Sequence, residues 1–192
     1  MAKVAQKQQK RRREITEAVL PLLMTQDFES ISVSDICSAA DISIGSFYHY
    51  FSSKADILIG LLMLIDSDME SRVFPLLTSG DERENLSRFA HGWAEHVAAN
   101  GIERSRLITS ARPTYMDESG TKRVTTRKLE EIMARGQEKG QITSAMDAQE
   151  LASMFLLAMR GVTVDWSRMN GEYDAVEKMD KFIGLFLTAL RP

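Results

Sequence analysis

Two short segments, each opened by a serine, lie only three residues apart, and that spacing constrains this chain more than any other feature. Ser32 stands three residues before Asp35, and Ser43 directly precedes Ile44. A serine hydroxyl at a helix start accepts from an otherwise unpaired amide of the first turn, and an acid three residues on can bond back. These signals predict helices over 33–40 and 44–51, with Asp41-Ile42-Ser43 as the whole connection. Two short helices joined by such a turn form a helix-turn-helix. A third start, Ser53 with Asp56, opens a longer helix over 54–77.

The remaining pattern is helical as well. Apolar residues recur at three- and four-residue spacing along nearly all of the 192 residues, and no stretch alternates as a strand would. The expected fold class is all-α: a three-helix N-terminal domain carrying the helix-turn-helix, then a larger helical domain. The first helix covers about 10–26 with Ile15, Val19, Leu22 and Leu23 inward and Pro21 inside it. Later helices are expected over 82–100, 103–112, 119–139, 147–169 and 173–190, separated by glycines and Pro113. The domain division is a disordered basic tail over 1–9, the helix-turn-helix domain over 10–55, and a ligand-binding and dimerisation domain over 56–192.

Charge is distributed unevenly. Residues 1–13 hold Lys3, Lys7, Lys10, Arg11, Arg12 and Arg13 and no acid, while the net charge of the whole chain is −3. A basic end on an acidic body suits a polyanion held at one end. Cys37 is the only cysteine, which rules out an intramolecular disulfide and a multi-cysteine metal site. The longest apolar run, 57–65, is far short of the roughly 20 residues of a membrane span. The expected location is the cytoplasm, with the nucleoid when bound to DNA. No HExxH, phosphate loop or nucleophile elbow is present, so the chain is not expected to be an enzyme or to carry a metal or cofactor.

The second segment contains Phe47-Tyr48-His49-Tyr50-Phe51, five consecutive rings. At helical spacing Phe47 and Phe51 share the core side with Ile44. Gly45, Ser46, His49 and Tyr50 lie opposite, and Tyr48 is on the flank. Outward rings with hydroxyls suit a helix in a major groove, where they reach phosphates and base edges. Tyr48 and Tyr50 could instead pack by their faces and keep only their hydroxyls wet.

The stretch from Phe28 to Ile36, then Ala39 to Phe51, then Ser53-Lys54, resembles the DNA-binding domain of the tetracycline-repressor-like (TetR) family over about residues 10–58. That resemblance implies an all-helical homodimeric repressor that responds to a small molecule. It assigns DNA contact to Ser32, Ser34, Ser43, Ile44, Gly45, Ser46, Tyr48, His49, Tyr50 and Lys54. Four positions depart from the family pattern. Asp41 replaces a usual turn glycine, Asp27 stands where a glycine commonly precedes Phe28, Ile44 replaces a common lysine, and Pro21 is unusual for the first helix. An isoleucine can meet a thymine methyl but cannot bind a phosphate.

Beyond residue 60 no motif appears. Met63, Phe89, Trp93, His96, Tyr115, Met133, Phe155 and Met159 are the candidates to line a cavity for a small apolar or amphipathic effector. Methionines, aromatics and a lone histidine at helical spacing are core first and pocket second. The last two long helices are apolar on more than one side. Leu156, Met159, Val162, Trp166, Met179, Phe182, Ile183 and Phe186 are the candidate dimer interface. The expected partners are operator DNA, a small-molecule effector and a second copy of the chain, with no membrane. Two other classes stay open: a small metal-dependent helical hydrolase, and a DNA-binding architectural dimer without a ligand.

Overall fold

Side chains set the helix starts in this protein. The computed structural model describes residues 2–110 and 122–192, with side chains described over 7–109 and 122–192. Eight α-helices and no strand are present among the described residues. Among the described residues the chain divides into two compact units, the first holding 2–64 with Ser110 and the second 65–109 with 122–192. The boundary therefore falls inside a helix, nine residues later than the division expected at 55.

The first unit begins with α1 (Ala2–Thr25). It is helical over 2–9, where a disordered tail was expected, because alanine, lysine, glutamine and arginine are good helix formers. Ile15, Val19 and Leu23 are buried at four-residue spacing. The helix continues through Pro21. Pro21 lies on the exposed side, so the carbonyl it leaves without a donor faces water. Next come α2 (Val33–Ala40), α3 (Ile44–Tyr50) and α4 (Asp56–Asp68). Ile31, Ile36, Phe47, Phe51, Ile57 and Leu61 close the core over α1. At Gly60 a Cβ would overlap Thr16 Oγ1, so glycine allows α4 to approach α1 closely.

In the second unit the helix expected over 54–77 does not run on as one piece. It gives way to a π turn at Met69–Val73 and a 3₁₀ turn at Phe74–Leu76, which contains Pro75. Then follow α5 (Glu82–Ser110), α6 (Val124–Glu138), α7 (Ala148–Arg168) and α8 (Ala175–Ala189). Gly101 breaks α5 with φ 80° and ψ 175°, a backbone state that only glycine holds without strain. The helix α7 packs on both α6 and α8. Phe89, Leu129, Ile132, Met133, Phe155 and Met159 are fully buried.

One buried and one half-buried ion pair staple this unit. Asp66 accepts from Arg123 Nε at 2.8 Å and Nη2 at 2.9 Å, and from Thr125 Oγ1 at 2.6 Å. Glu82 accepts from Arg135 Nε and Nη2, both at 2.9 Å, and from Lys139 at 2.7 Å. The Arg135 pair, helped by Lys139 and Asn85, holds the Glu82 carboxyl down to about 2. Among the described residues no helix is long and apolar enough to cross a membrane.

Candidate nucleic-acid interface

Local capping builds the helix-turn-helix. Ser32 Oγ accepts from Asp35 N at 3.2 Å, and Asp35 Oδ2 accepts from Ser32 N at 2.8 Å, which completes a capping box. The Ser32 hydroxyl also donates to Asp35 at 2.6 Å, and these bonds hold the Asp35 carboxyl below the usual range. Ser32 is thus exposed but already engaged. Ser34 is exposed on the same helix. Asp41 takes φ 51° and ψ 54° and donates its N–H to the Cys37 and Ser38 carbonyls. This left-handed cap turns the chain, and aspartate tolerates it better than most residues with a Cβ. Ser43 Oγ then accepts from Ser46 N at 3.0 Å to start α3.

The ring cluster on α3 divides by direction. Phe47 and Phe51 are buried and stacked, with centroids 5.1 Å apart. The Arg12 guanidinium lies 4.6 Å over Phe51. Burial lowers Arg12 to about 10 against the pull of Asp56, so it stays a cation at neutral pH. Tyr48 is 56% exposed and meets Phe47 edge-on at 5.3 Å. His49 is exposed, and its ring lies 4.8 Å from that of the half-buried Tyr50. Gly45 is exposed, with no crowding above it.

Three assignments on this surface change. Ile44 was expected on the core side and is 52% exposed. As the first helical residue, it precedes the turn that would have carried it inward. Ser46 was expected outward and is half-buried, its hydroxyl 2.9 Å from Ser43 Oγ. Lys54 precedes α4 and was expected to hold a phosphate. Its ammonium instead donates to the Phe28, Ile31 and Glu29 carbonyls at 2.8, 3.0 and 3.3 Å and sits 4.6 Å over the Phe28 ring. An ammonium has three donors, so this set uses them all. The start of α4 is organised by Asp56, which accepts from Ser52 N at 2.8 Å, from the Ser52 hydroxyl and from Ser53 Oγ at 3.2 Å.

The candidate effector residues are mostly core. Phe89, Met133, Phe155 and Met159 are fully buried, and Trp93 donates to Thr163 Oγ1 at 3.3 Å. Met63 belongs to the first unit, and Tyr115 lies outside the described residues. His96 is buried with Nδ1 2.7 Å from Asp68 Oδ2, while its Nε2 has no hydrogen-bond partner. Burial lowers the His96 pKa despite the opposing Asp68 bond, which favours the neutral ring. Thr126 Oγ1 is a second buried atom without a partner. An open depression of about 660 Å³ does exist in this unit, lined by Val73 and Leu76 together with Arg72, Arg88, His91 and Asp180, none of them among the candidate effector residues.

The candidate dimer residues need the same correction. Leu156, Met159, Val162, Trp166, Met179 and Ile183 are buried within the unit, and Phe186 packs edge-on against Phe155 at 5.5 Å. Only Phe182 remains largely exposed. The exposed apolar side of these helices consists of Met154, Leu157 and Leu185 with Phe182. Since α7 lies between α6 and α8, the stripe expected at an interface is consumed by its neighbours.

This arrangement recurs in known proteins. Residues 15–61 match the description "Bacterial regulatory proteins, tetR family". The HTH-type transcriptional repressor KstR2 of Rhodococcus jostii (strain RHA1) is 27% identical over 189 residues, covering 94% of this chain and 91% of that protein. The fatty acid degradation regulator FadR from Bacillus halodurans superposes with a TM-score of 0.72 at 20% identity, over 93% of this chain and 98% of that one. FadR from Bacillus subtilis, solved in complex with stearoyl-CoA, gives 0.71 at 18% identity over the same shares. These two structural likenesses establish the fold. The matched segment spans the helix-turn-helix, and a repressor aligns along nearly the whole chain: residues 15–61 are a TetR-family DNA-binding segment, and the chain as a whole is similar to TetR-family transcriptional regulators rather than to enzymes.

Proposed function

We propose that the protein is a cytoplasmic repressor whose homodimer sets two copies of α3 into successive major grooves of a palindromic operator, and whose DNA affinity a small amphipathic effector changes. The observation that carries the DNA part is the division of α3. Phe47 and Phe51 anchor it, while Ile44, Tyr48 and His49 face outward. A recognition helix needs that pairing of a fixed back and a free front. Repression is favoured over activation by the likeness to KstR2.

A second copy fits the exposed apolar side of α7 and α8, formed by Met154, Leu157, Phe182 and Leu185. Gly161 and Gly184, which have no nearby atoms over them, leave room for close approach. Large apolar side chains left exposed on two neighbouring helices suit an interaction site. Two half-sites would then lie about 34 Å apart, one turn of DNA.

The effector reading rests on His96 Nε2 and Thr126 Oγ1, unpaired polar atoms inside an apolar unit. Buried polar atoms are normally satisfied, and a polar group on a ligand would satisfy these. The acyl-CoA held by the Bacillus subtilis FadR points to that ligand class. The helix α4 starts in the first unit and ends in the second, so a ligand preferring one of two shapes could act along it.

Selection of bound duplexes from a random pool tests this reading. An inverted repeat with one-turn half-site spacing and salt-sensitive affinity is expected, and a long-chain acyl-CoA should release the duplex. A protein that binds no duplex in a salt-sensitive way would end the proposal.

A further inference from the structure

We infer that one base pair of each half-site is read through the C5-methyl group of a thymine, packed against Ile44 at the start of α3. The inference rests on α3 being the recognition helix. Direct reading of a base pair draws on a short set of side chains. Arginine and lysine read guanine, asparagine and glutamine read adenine, and the acids read cytosine, while apolar groups meet the thymine methyl. The helix α3 spells Ile-Gly-Ser-Phe-Tyr-His-Tyr and contains no arginine, lysine, asparagine, glutamine or acid. Ser43 and Ser46 are bonded to each other, and the Lys54 ammonium is taken by three carbonyls. What α3 offers is one aliphatic side chain, one exposed phenol and one exposed imidazole.

The N-terminal residues of a recognition helix are the ones that meet base edges. Ile44 is the first of them and is 52% exposed. Beside it Gly45 adds no side chain, so the helix can come down onto the groove floor. An isoleucine on a soluble surface is ordinary when single. Here it stands on the outward side of the recognition helix, where a groove would cover it, and the thymine methyl is the apolar group that the major groove carries.

The test replaces thymidine by deoxyuridine, one position at a time, in the duplex selected from the random pool. The change deletes only the methyl. One thymine in each half-site should show about a 3- to 10-fold loss of affinity, the scale of removing one buried methyl contact. In Ile44→Ala the same substitution should change affinity less than twofold, because the partner is gone. Ile44→Val should lie between. Melting curves of the variants check that the exposed position leaves the fold intact.

A flat scan with the unaltered protein, on a duplex it still binds, would overturn the inference and leave α3 as the recognition helix. A methyl effect that persists undiminished in Ile44→Ala would overturn it too, by giving the contact to another residue. Absence of duplex binding by the unaltered protein would remove both the inference and the proposed function.

Discussion

Replacing Lys54 by methionine separates two roles for its ammonium. In the folded unit that group donates to three carbonyls, at 2.8 Å to Phe28, 3.0 Å to Ile31 and 3.3 Å to Glu29, and lies 4.6 Å over the Phe28 ring. It therefore ties the loop before α2 to the turn after α3. A hydrogen bond to a charged group contributes about 1.5–3 kcal/mol. The three cannot simply be added, because the exposed Glu29 carbonyl regains water while Ile31 is buried. A net loss of about 2–4 kcal/mol follows. For a chain of this size each kcal/mol moves the thermal midpoint by roughly 2–4 °C. Circular dichroism should thus register a drop of roughly 4–16 °C. The salt dependence of DNA binding, measured below the lowered midpoint, should keep its slope. A phosphate ligand would behave in the opposite way, because each neutralised phosphate contributes about 0.9 to that slope. A slope reduced by about 0.9 with an unmoved midpoint would refute the clamp.

Asp41→Gly should stabilise the first unit by about 0.5–1 kcal/mol, read as a higher urea midpoint, because φ 51° carries no Cβ penalty in glycine. Glu82 titrates lower folded, at about 2, than its ordinary 4.5, so its ion pair supports the fold fully above pH 4.5 and loses that support between there and pH 2. The contribution is about 3 kcal/mol, and Glu82→Gln should flatten the acid limb of a stability-versus-pH curve. Leu157→Asp combined with Leu185→Asp should convert a dimer to a monomer in sedimentation with the helical spectrum unchanged; a dimer that survives would move the interface elsewhere. His49→Ala should change preference at one base position by about 1–3 kcal/mol in a fresh duplex selection, and an untouched consensus would remove His49 from base reading.

The helix-turn-helix was legible because its instructions are local. Ser32 with Asp35, Asp41 and Ser43 each act within four residues, and α2 and α3 start and end within a residue of their expected bounds. Even the departure from glycine at Asp41 was readable, since a left-handed cap was the one demand at that position. Lys54 was not legible. Its partners lie 23 to 26 residues away, and nothing near it in the sequence shows that its charge is already used. Ile44 failed for a different reason. A helical wheel assumes neighbours on both sides, and the first residue of a seven-residue helix has them on one side only.

The second unit shows why periodicity runs out where a helix is apolar nearly all round. The helix α7 has two apolar stripes, and either could have been the inner one. Packing chose Leu151, Phe155, Leu156 and Met159 and left Met154 and Leu157 in water. That choice depends on α6 and α8 both lying against α7, a fact of tertiary structure that a one-dimensional period does not carry. The error is therefore informative. Had the expected stripe been the exposed one, the helices would have lost their own core; because it is inside, the leftover stripe on α7 and α8 still lacks a partner among the described residues. Leu157 at 64% exposed and Leu185 at 74% are the most exposed large apolar side chains. They are the positions where the proposed homodimer must bury surface if it forms at all.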